Sequence, residues 1–465
     1  MEMLVDRFTA AVVFAIDLSC LVDDDLTQQQ RLQRKRSTGE LGRALRRCLN
    51  QGGGPFGEWV DESARIQGRM ERADREGGVR IWSRRFLDNH SPLLQTNHNH
   101  ALGVDRVQIR EDGRLDPNGL RYRRRSFFRG VGYRMTSEGA LVATFQADFL
   151  DPAGYLVPEV IKTLHHFRDD ALDTFRIFIG DYFHSTHRRE ALEAATGLSF
   201  GRAGTLAADE IETLVRRHQL VFVRGFRSAT QPPGDYADLE SVLHSGELAG
   251  ILTEAPWYRS YGSRYIERIR KNEAGHRGDE IYLVGHHSTV VVAERYWRNL
   301  YEPDSEGGDA QRGPVAERDP MYWYRADLLT MVEHQLSRLT LLRQQAAFFR
   351  DRSSHQPLEA ERPAAALPVV LDGRANLTQI SESLDFISLC RHGFTREVAS
   401  LLRREIGLDE QLEAVRRRID DMSAAVNLKS SVTSARSENI IQMITLIVAV
   451  IALFVSAAAL LVSLP

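Results

Sequence analysis

Asp17 is the side chain best placed by sequence for metal chemistry. It ends the apolar run Ala10 to Ile16, and Asp23, Asp24 and Asp25 follow further along the chain. A carboxylate at the end of a strand can hold Mg²⁺ for phosphoryl chemistry. The competing role is a polar cap on the turn that leaves the strand. A second candidate is the segment Arg121-Tyr122-Arg123-Arg124-Arg125-Ser126-Phe127-Phe128-Arg129. Arg121, Arg123, Arg124, Arg125 and Arg129, interleaved with aromatic residues, could grip the phosphates of a nucleotide or another anionic ligand. The competing role is a solvated face balanced by nearby acids. The histidines form no metal set. His98 and His100 alternate, His184 and His187 lack an acidic partner at ligand spacing, and adjacency should point His165 and His166, and His286 and His287, apart. No Walker loop, nucleophile elbow or HExxH motif occurs, and Gly52-Gly53-Gly54 runs into Pro55. The balance favours a protein that is not an enzyme, and no cofactor follows from the motifs.

The chain has 465 residues, 43% of them hydrophobic and 26% charged, which is globular usage and sets aside a largely disordered chain. A formal charge of −3 argues against bulk nucleic-acid binding. Cys20, Cys48 and Cys390 are too far apart in sequence for a disulfide framework and fit a reducing compartment. Lysine occurs only at positions 35, 162, 271 and 429, so arginine dominates the 60 basic residues. That bias points to a GC-rich bacterial genome.

Period-two and short apolar runs predict strands at 10–16, 79–82, 104–109, 126–133, 140–149 and 220–223, with a helix over 28–49. From Pro158 the period becomes helical, with Val160, Ile161, Leu164, Phe167, Leu172, Phe175 and Ile179 on one face. A hairpin is predicted from 280–284 and 289–292, and a polar loop over 302–319. A helix is expected over 324–350. Residues 353–374, with Pro357, Pro363 and Pro368, read as a connection, and a helix restarts at Leu377. Apolar residues from Phe394 to Val426, including Leu408, Leu412, Val415, Ile419, Met422 and Val426, make a coiled-coil seam interrupted at Glu405, with Gly407 a weak point. This seam either joins copies of the chain or packs on its own domain. The expected fold class is α+β, a mixed α/β cytosolic part followed by a long helical stalk and one C-terminal transmembrane helix. The expected divisions are a strand-rich α/β domain at 1–152, its continuation at 153–301, a helical stalk at 320–438 and the membrane helix at 439–465.

Ile440 to Leu464 carries no charge. At ~1.5 Å per residue, a helix of that length reaches roughly 37 Å, enough to cross a hydrocarbon core of ~30 Å. Phe8 to Ile16 is too short to do so, and its acidic flank does not suit a secretory signal. Lys429 and Arg436 precede the span, which orients the bulk of the chain to the cytosol and the C-terminus outward across the inner membrane. Gln442, Thr445, Ala449, Ala452, Ser456, Ala459 and Ser463 recur at steps of three and four. Small and polar residues on one stripe allow helices to approach closely in lipid, where no hydrophobic drive exists between them. The same stripe could line a narrow pore.

The order of a cytosolic α/β part, a helical region and a long helix running into a span resembles the CorA-type metal-ion channel superfamily. The likeness covers about 280 to 465 and includes Asn439-Ile440-Ile441-Gln442-Met443-Ile444-Thr445-Leu446-Ile447, which looks like the neck where that family's stalk enters the membrane. It implies a funnel-like homo-oligomer embedded in the lipid bilayer. The family's Gly-Met-Asn motif, following loop and second span have no counterpart in the sequence, so magnesium transport is not implied. Separately, Phe14-Ala15-Ile16-Asp17-Leu18-Ser19 looks like the first metal strand of class III nucleotide cyclases, although the second metal aspartate is not matched. Three functions therefore stand as expectations. The first is a self-assembling sensor or effector with an ion-conducting or membrane-perturbing span. The second is a membrane-anchored nucleotide-acting enzyme using Asp17. The third is a tethered scaffold.

Overall fold

A computed structural model describes residues 3–23, 60–61, 81–85, 126–136, 139–184, 186–201, 208–232, 235–275, 280–293, 320–355, 363–383 and 393–462, with scattered positions between 25 and 44. The fold mixes helices with one large sheet, as the α+β expectation requires. The chain divides into two compact units. One comprises 1–344 and 379–411, the other 345–378 and 412–465.

The larger unit is built on β1 (Met3–Asp17), which occupies the middle of a nine-stranded sheet. Its other strands are β2 (Val60–Asp61), β3 (Ile81–Arg85), β4 (Ser126–Thr136), β5 (Ala140–Leu156), β6 (Arg216–Val223), β7 (Arg227–Ser228), β8 (Glu280–Val284) and β9 (Ser288–Ala293). The order across the sheet is β2-β3-β4-β5-β1-β6-β9-β8, and β7 extends β1 at Met3 and Leu4. All pairs are antiparallel except β6 with β9. The boundary expected at residue 152 is therefore corrected. β5 runs through it to Leu156, and β1 hydrogen-bonds to β6 beyond it, so 1–152 and 153–301 share one sheet. The predicted strand at 79–82 is observed at Ile81–Arg85, while 104–109 and 302–319 lie outside the described residues.

Register explains why β1 reads as a continuous apolar run. Cross-strand partners share a face, so Phe8, Ala10, Val12 and Phe14 stand beside Phe149, Ala147, Phe145 and Ala143. Helix α1 (Val157–His184) covers this face. Phe14 stacks on Phe175 at 5.8 Å, and Phe149 meets Phe167 edge-on at 5.8 Å. Each such ring contributes about 1.5–3 kcal/mol by leaving water. The opposite face carries Thr9, Ala11, Val13 and Ala15, with Thr144 opposite Val13. These residues are buried too, because β1 is covered on both sides.

Helix α2 (Thr186–Thr196) and helix α3 (Ala208–Leu214) follow α1. Helices α4 (Leu239–His244), α5 (Gly246–Thr253) and α6 (Ser263–Arg270) lie between β7 and β8. Helix α7 (Pro320–His355) is buried at every position from Met331 to Leu342, polar residues included. Thr144 Oγ1 donates to Glu333 Oε1 at 2.6 Å, which joins α7 to the second sheet face. Arg338 is fully buried and donates to the Ser381 carbonyl at 3.0 Å.

The described residues within 353–374, expected to be a connection, are helical. Helix α7 continues to His355 and helix α8 spans Pro363–Ser383. Pro363 is the first residue of α8, where a missing N–H costs nothing, and Pro368 sits one turn later on an exposed face. The seam from Phe394 to Val426 is also corrected. Helix α9 (Gly393–Glu405) stops, Gly407 adopts φ +73°, and helix α10 (Leu408–Val462) begins. A left-handed residue ends a helix, and glycine takes that conformation without a Cβ clash.

The smaller unit holds the end of α7, most of α8 and α10 from Leu412 onward. Gly373 approaches Phe349 so closely that a Cβ would lie 2.3 Å from the ring. Arg374 pairs with Asp420 at 3.0 Å, and Arg418 donates to the Ala346 carbonyl at 2.5 Å. Leu412, Val415, Ile419, Met422 and Val426 are no more than 8% exposed within a single chain, so this face is already covered. Leu408, in the larger unit, is likewise buried. From Val432 the helix turns exposed, and one stretch of it is apolar and long enough to cross a membrane, with mean hydropathy 1.4 and none of it buried.

Candidate functional site

The parallel pair β6 and β9 opens at its N-terminal ends onto a basic cavity of about 630 Å³. His165 and Arg168 reach it from α1, Arg217 from β6, Arg268 from α6, and His286 and His287 from the bend between β8 and β9. Glu254 and Glu405 are its carboxylates. A smaller cavity of about 260 Å³ shares Arg217, His286 and His287 and adds Arg216 and Arg343. Its remaining described walls are apolar, among them Phe14, Leu336 and Ile406, and no carboxylate among the described residues lines it.

Glu254 anchors the larger cavity. It caps α5 in the left-handed conformation, φ 52° and ψ 32°, the one non-glycine residue with positive φ among those described. Such a backbone costs on the order of 1 kcal/mol or more and persists where surrounding contacts impose it. Those contacts come from two residues three apart on α1. His165 Nε2 donates to the Glu254 carbonyl at 2.9 Å, and Arg168 Nη1 meets the Glu254 carboxylate at 2.6 Å. Opposite, Arg404 donates to Asn272 Oδ1 at 2.6 Å, and His286 Nδ1 donates to the Glu405 carbonyl. Arg268 lies over the Tyr265 ring, 4.9 Å from its centroid.

His286 and His287 do not diverge as strand neighbours would. Their rings meet edge-on at 4.3 Å and both face the two cavities. The chain bends there, and the alternation of side chains belongs only to extended backbone. Burial lowers the pKa of His287, and the charges of His286, Arg217 and Arg168 lower it further. Burial also lowers Arg216, assisted by the like charge of Arg343, and partial desolvation lowers Arg343, which is exposed on α7.

Beneath the bend, His218 is completely buried and shares a hydrogen bond of 2.9 Å with Thr289 Oγ1. Burial, then the neighbouring His287, lower its pKa from 6.5 to about 3. Above pH ~6.5 it is neutral in both folded and unfolded chains. As pH falls from ~6.5 toward 3, only the unfolded chain takes up the proton, so stability is lost at about 1.4 kcal/mol per pH unit. Stability at pH 5 is thus expected to be about 2 kcal/mol below that at pH 7 from this group. His218→Gln should reduce the drop without removing it, since His287 is shifted the same way. Unfolding midpoints of the two proteins at pH 7 and pH 5 provide the check, and identical drops would exclude His218 as the source.

The residues singled out by sequence lie elsewhere. Asp17 is 3% exposed and caps the turn Leu18–Leu21, accepting from Ser19 N at 2.9 Å and Ser19 Oγ at 2.7 Å. Asp23 accepts from the Ser199 hydroxyl, and Asp25 caps Thr27 N at 2.8 Å. Among the described residues no three acidic, histidine or cysteine side chains gather as a metal site. Arg121, Arg123, Arg124 and Arg125 lie outside the described residues, and Arg129 sits at an irregularity of β4 between Phe128 and Gly130. On α10, Gln442, Thr445, Ala449 and Ala452 are exposed on one helical face, which the backbone continues through Ser456 and Ala459, while Ser463 is not described. The two cavities were not anticipated. Their arginines come from α1, β6, α6 and α7, and a local trace is Arg216-Arg217-His218. Comparison with protein-family models, curated proteins and solved structures gave no match.

Proposed function

We propose that the chain is a single-span inner-membrane protein whose α/β unit works in the cytosol as a sensor and whose C-terminal helices bring several copies together. The observation that carries this is the apolar stretch of α10, exposed throughout from Ile440 to Ala452, whose sequence bears a stripe of small and polar residues. An exposed helix of this composition needs lipid around it, and its small-residue face needs another helix. Assembly through the stripe, with the neck that precedes it, fits better than assembly through the heptad seam, because Leu412 to Val426 is covered within one chain. The CorA-like order of elements supports a funnel-like oligomer, open to conduct ions or disturb the bilayer when the sensor is occupied. A shift between two packings of the neck would link the two events.

The anchored-enzyme alternative loses its support from Asp17, whose carboxylate is occupied as a cap. The scaffold alternative is separated from assembly by mass measurement. In mild detergent the full chain is expected to crosslink into discrete multimers. Ala449→Leu with Ala452→Leu, which fills the close approach, should cut the multimer fraction at least about threefold, a change of roughly 0.7 kcal/mol or more in association. A strict monomer before substitution would sink the proposal. Protease added to intact cells should leave the bulk of the chain whole.

A further inference from the structure

We infer that the neck of α10, from Leu428 to Gln442, pairs in parallel with the neck of a second copy of this chain, as a two-stranded coiled coil that runs on toward the span. The inference deepens the assembly proposal, on which it rests, by naming what each neck packs against and through which residues. It starts from a change of face along α10. Leu412, Val415, Ile419, Met422 and Val426 follow at steps of three and four and are covered within the chain. The same spacing continued falls on Lys429, Thr433 and Arg436, which are polar. The apolar positions move instead to Leu428 and Val432, 67% and 59% exposed. At ~100° per residue, Leu428 stands about 160° around the helix from Val426, so the newly apolar face points away from the one the chain itself covers.

That face then keeps its line. Leu428, Ala435, Gln442 and Ala449 recur every seven residues, with Val432 and Asn439 between them, and all are exposed. A repeat of seven holds a seam between supercoiled helices, whereas the face of a straight isolated helix drifts away from it. None of these six positions is charged, although Lys429, Arg436 and Glu438 stand beside them and keep the neck in water. Lipid therefore does not cover Leu428 and Val432. A second copy does, for two reasons of chemistry. The first is self-complementarity. Ser431, Thr433, Ser437 and Thr445 turn their hydroxyls onto carbonyls of their own helix. Asn439 and Gln442 carry amides, each both donor and acceptor, so each is matched by the same residue of a copy in register. The second is the order of side chains. Leu428, Val432, Ala435 and Asn439 place leucine at heptad position d, a β-branched residue at the next a and an asparagine at the a after that. That order favours parallel pairs over larger bundles. Copies anchored by the same span run parallel, which brings these layers to one depth.

The test is a cysteine scan of the full chain in native membranes. Cys20→Ser, Cys48→Ser and Cys390→Ser clear the background, and single cysteines are placed in turn at positions 427–441 under mild oxidation. Disulfide-linked pairs should peak at 428, 432, 435 and 439 and stay at background at 430, 433 and 437, whose counterparts lie beyond the ~7 Å that a disulfide spans. Leu428→Glu with Val432→Glu sets like charges across the seam and should weaken association at least about tenfold on dilution in mild detergent. Both side chains are exposed in the single chain, so its circular dichroism should match the parent's. Asn439→Val should hold the copies more tightly and admit higher multimers beside pairs, because a seam asparagine fixes copy number at a cost in stability. Crosslinks without the seven-residue period, or peaking at 430, 433 and 437, overturn the inference. So does a glutamate variant that associates as the parent does. Adducts of another mass in place of the pair assign the face to a different protein and overturn it too. A chain that multimerises but lacks the neck period refutes this inference alone. An unchanged multimer fraction in Ala449→Leu with Ala452→Leu, with the neck period intact, refutes assembly through the stripe alone.

Discussion

Replacing Arg168 with Met is expected to lower the stability of the larger unit by about 3 kcal/mol, the lower end of the cost of orphaning one member of a buried ion pair. The Arg168 and Glu254 side chains are only 16% and 12% exposed, so water compensates little when the 2.6 Å pair is broken. Glu254 would then hold a left-handed backbone with only His165 remaining from α1. The expected reading is a fall of roughly 4 °C in the unfolding midpoint of this unit. Adding Glu254→Gly to the same protein should recover most of the loss, since glycine accepts φ 52° without strain and leaves no carboxylate behind. A double variant no more stable than Arg168→Met would show that the pair does not hold this corner of the cavity. Recovery matters for function as well, because Glu254 and Arg168 shape the wall of the larger cavity.

The second large effect belongs to the apolar stretch of α10, the proposed span. Val448 and Ile451 are 59% and 56% exposed on the apolar stretch of α10. An arginine at the centre of a span opposes insertion by ~2.5–3.5 kcal/mol, so Val448→Arg with Ile451→Arg sets about 5–7 kcal/mol against it. The double variant is expected to leave the membrane fraction and appear as soluble or degraded protein, while Val448→Leu with Ile451→Leu stays with the membrane. Alkaline extraction of washed membranes separates the two. An arginine variant that resists extraction as the parent does would mean that this helix does not enter lipid.

Local patterns carried a large part of the fold. β1, the α1 face from Val160 to Ile179, the hairpin of β8 and β9 and the apolar end of α10 each show the period or the unbroken hydrophobicity that their environment demands. Where local punctuation misled, a neighbouring rule prevailed. Pro363 starts a helix rather than preventing one, and Gly407 divides a seam whose apolar spacing continues across it. Strand pairing across residue 152 was invisible because hydrogen bonds between β1 and β6 join residues some two hundred positions apart.

The candidate site depended on tertiary structure almost entirely. Asp17 stood out because a carboxylate after a strand is a local pattern, yet its role was set by Ser19 two residues away. Arg168, Arg217, Arg268 and Arg343 are ordinary arginines in a chain full of them until α1, β6, α6 and α7 bring them to one end of the sheet. Membrane entry, by contrast, is a property of one continuous segment, since transfer into lipid sums over the residues of a single helix and needs no partner to define it. A binding cavity is a property of distances between segments, and those are decided only when the sheet closes its register and buries both of its faces.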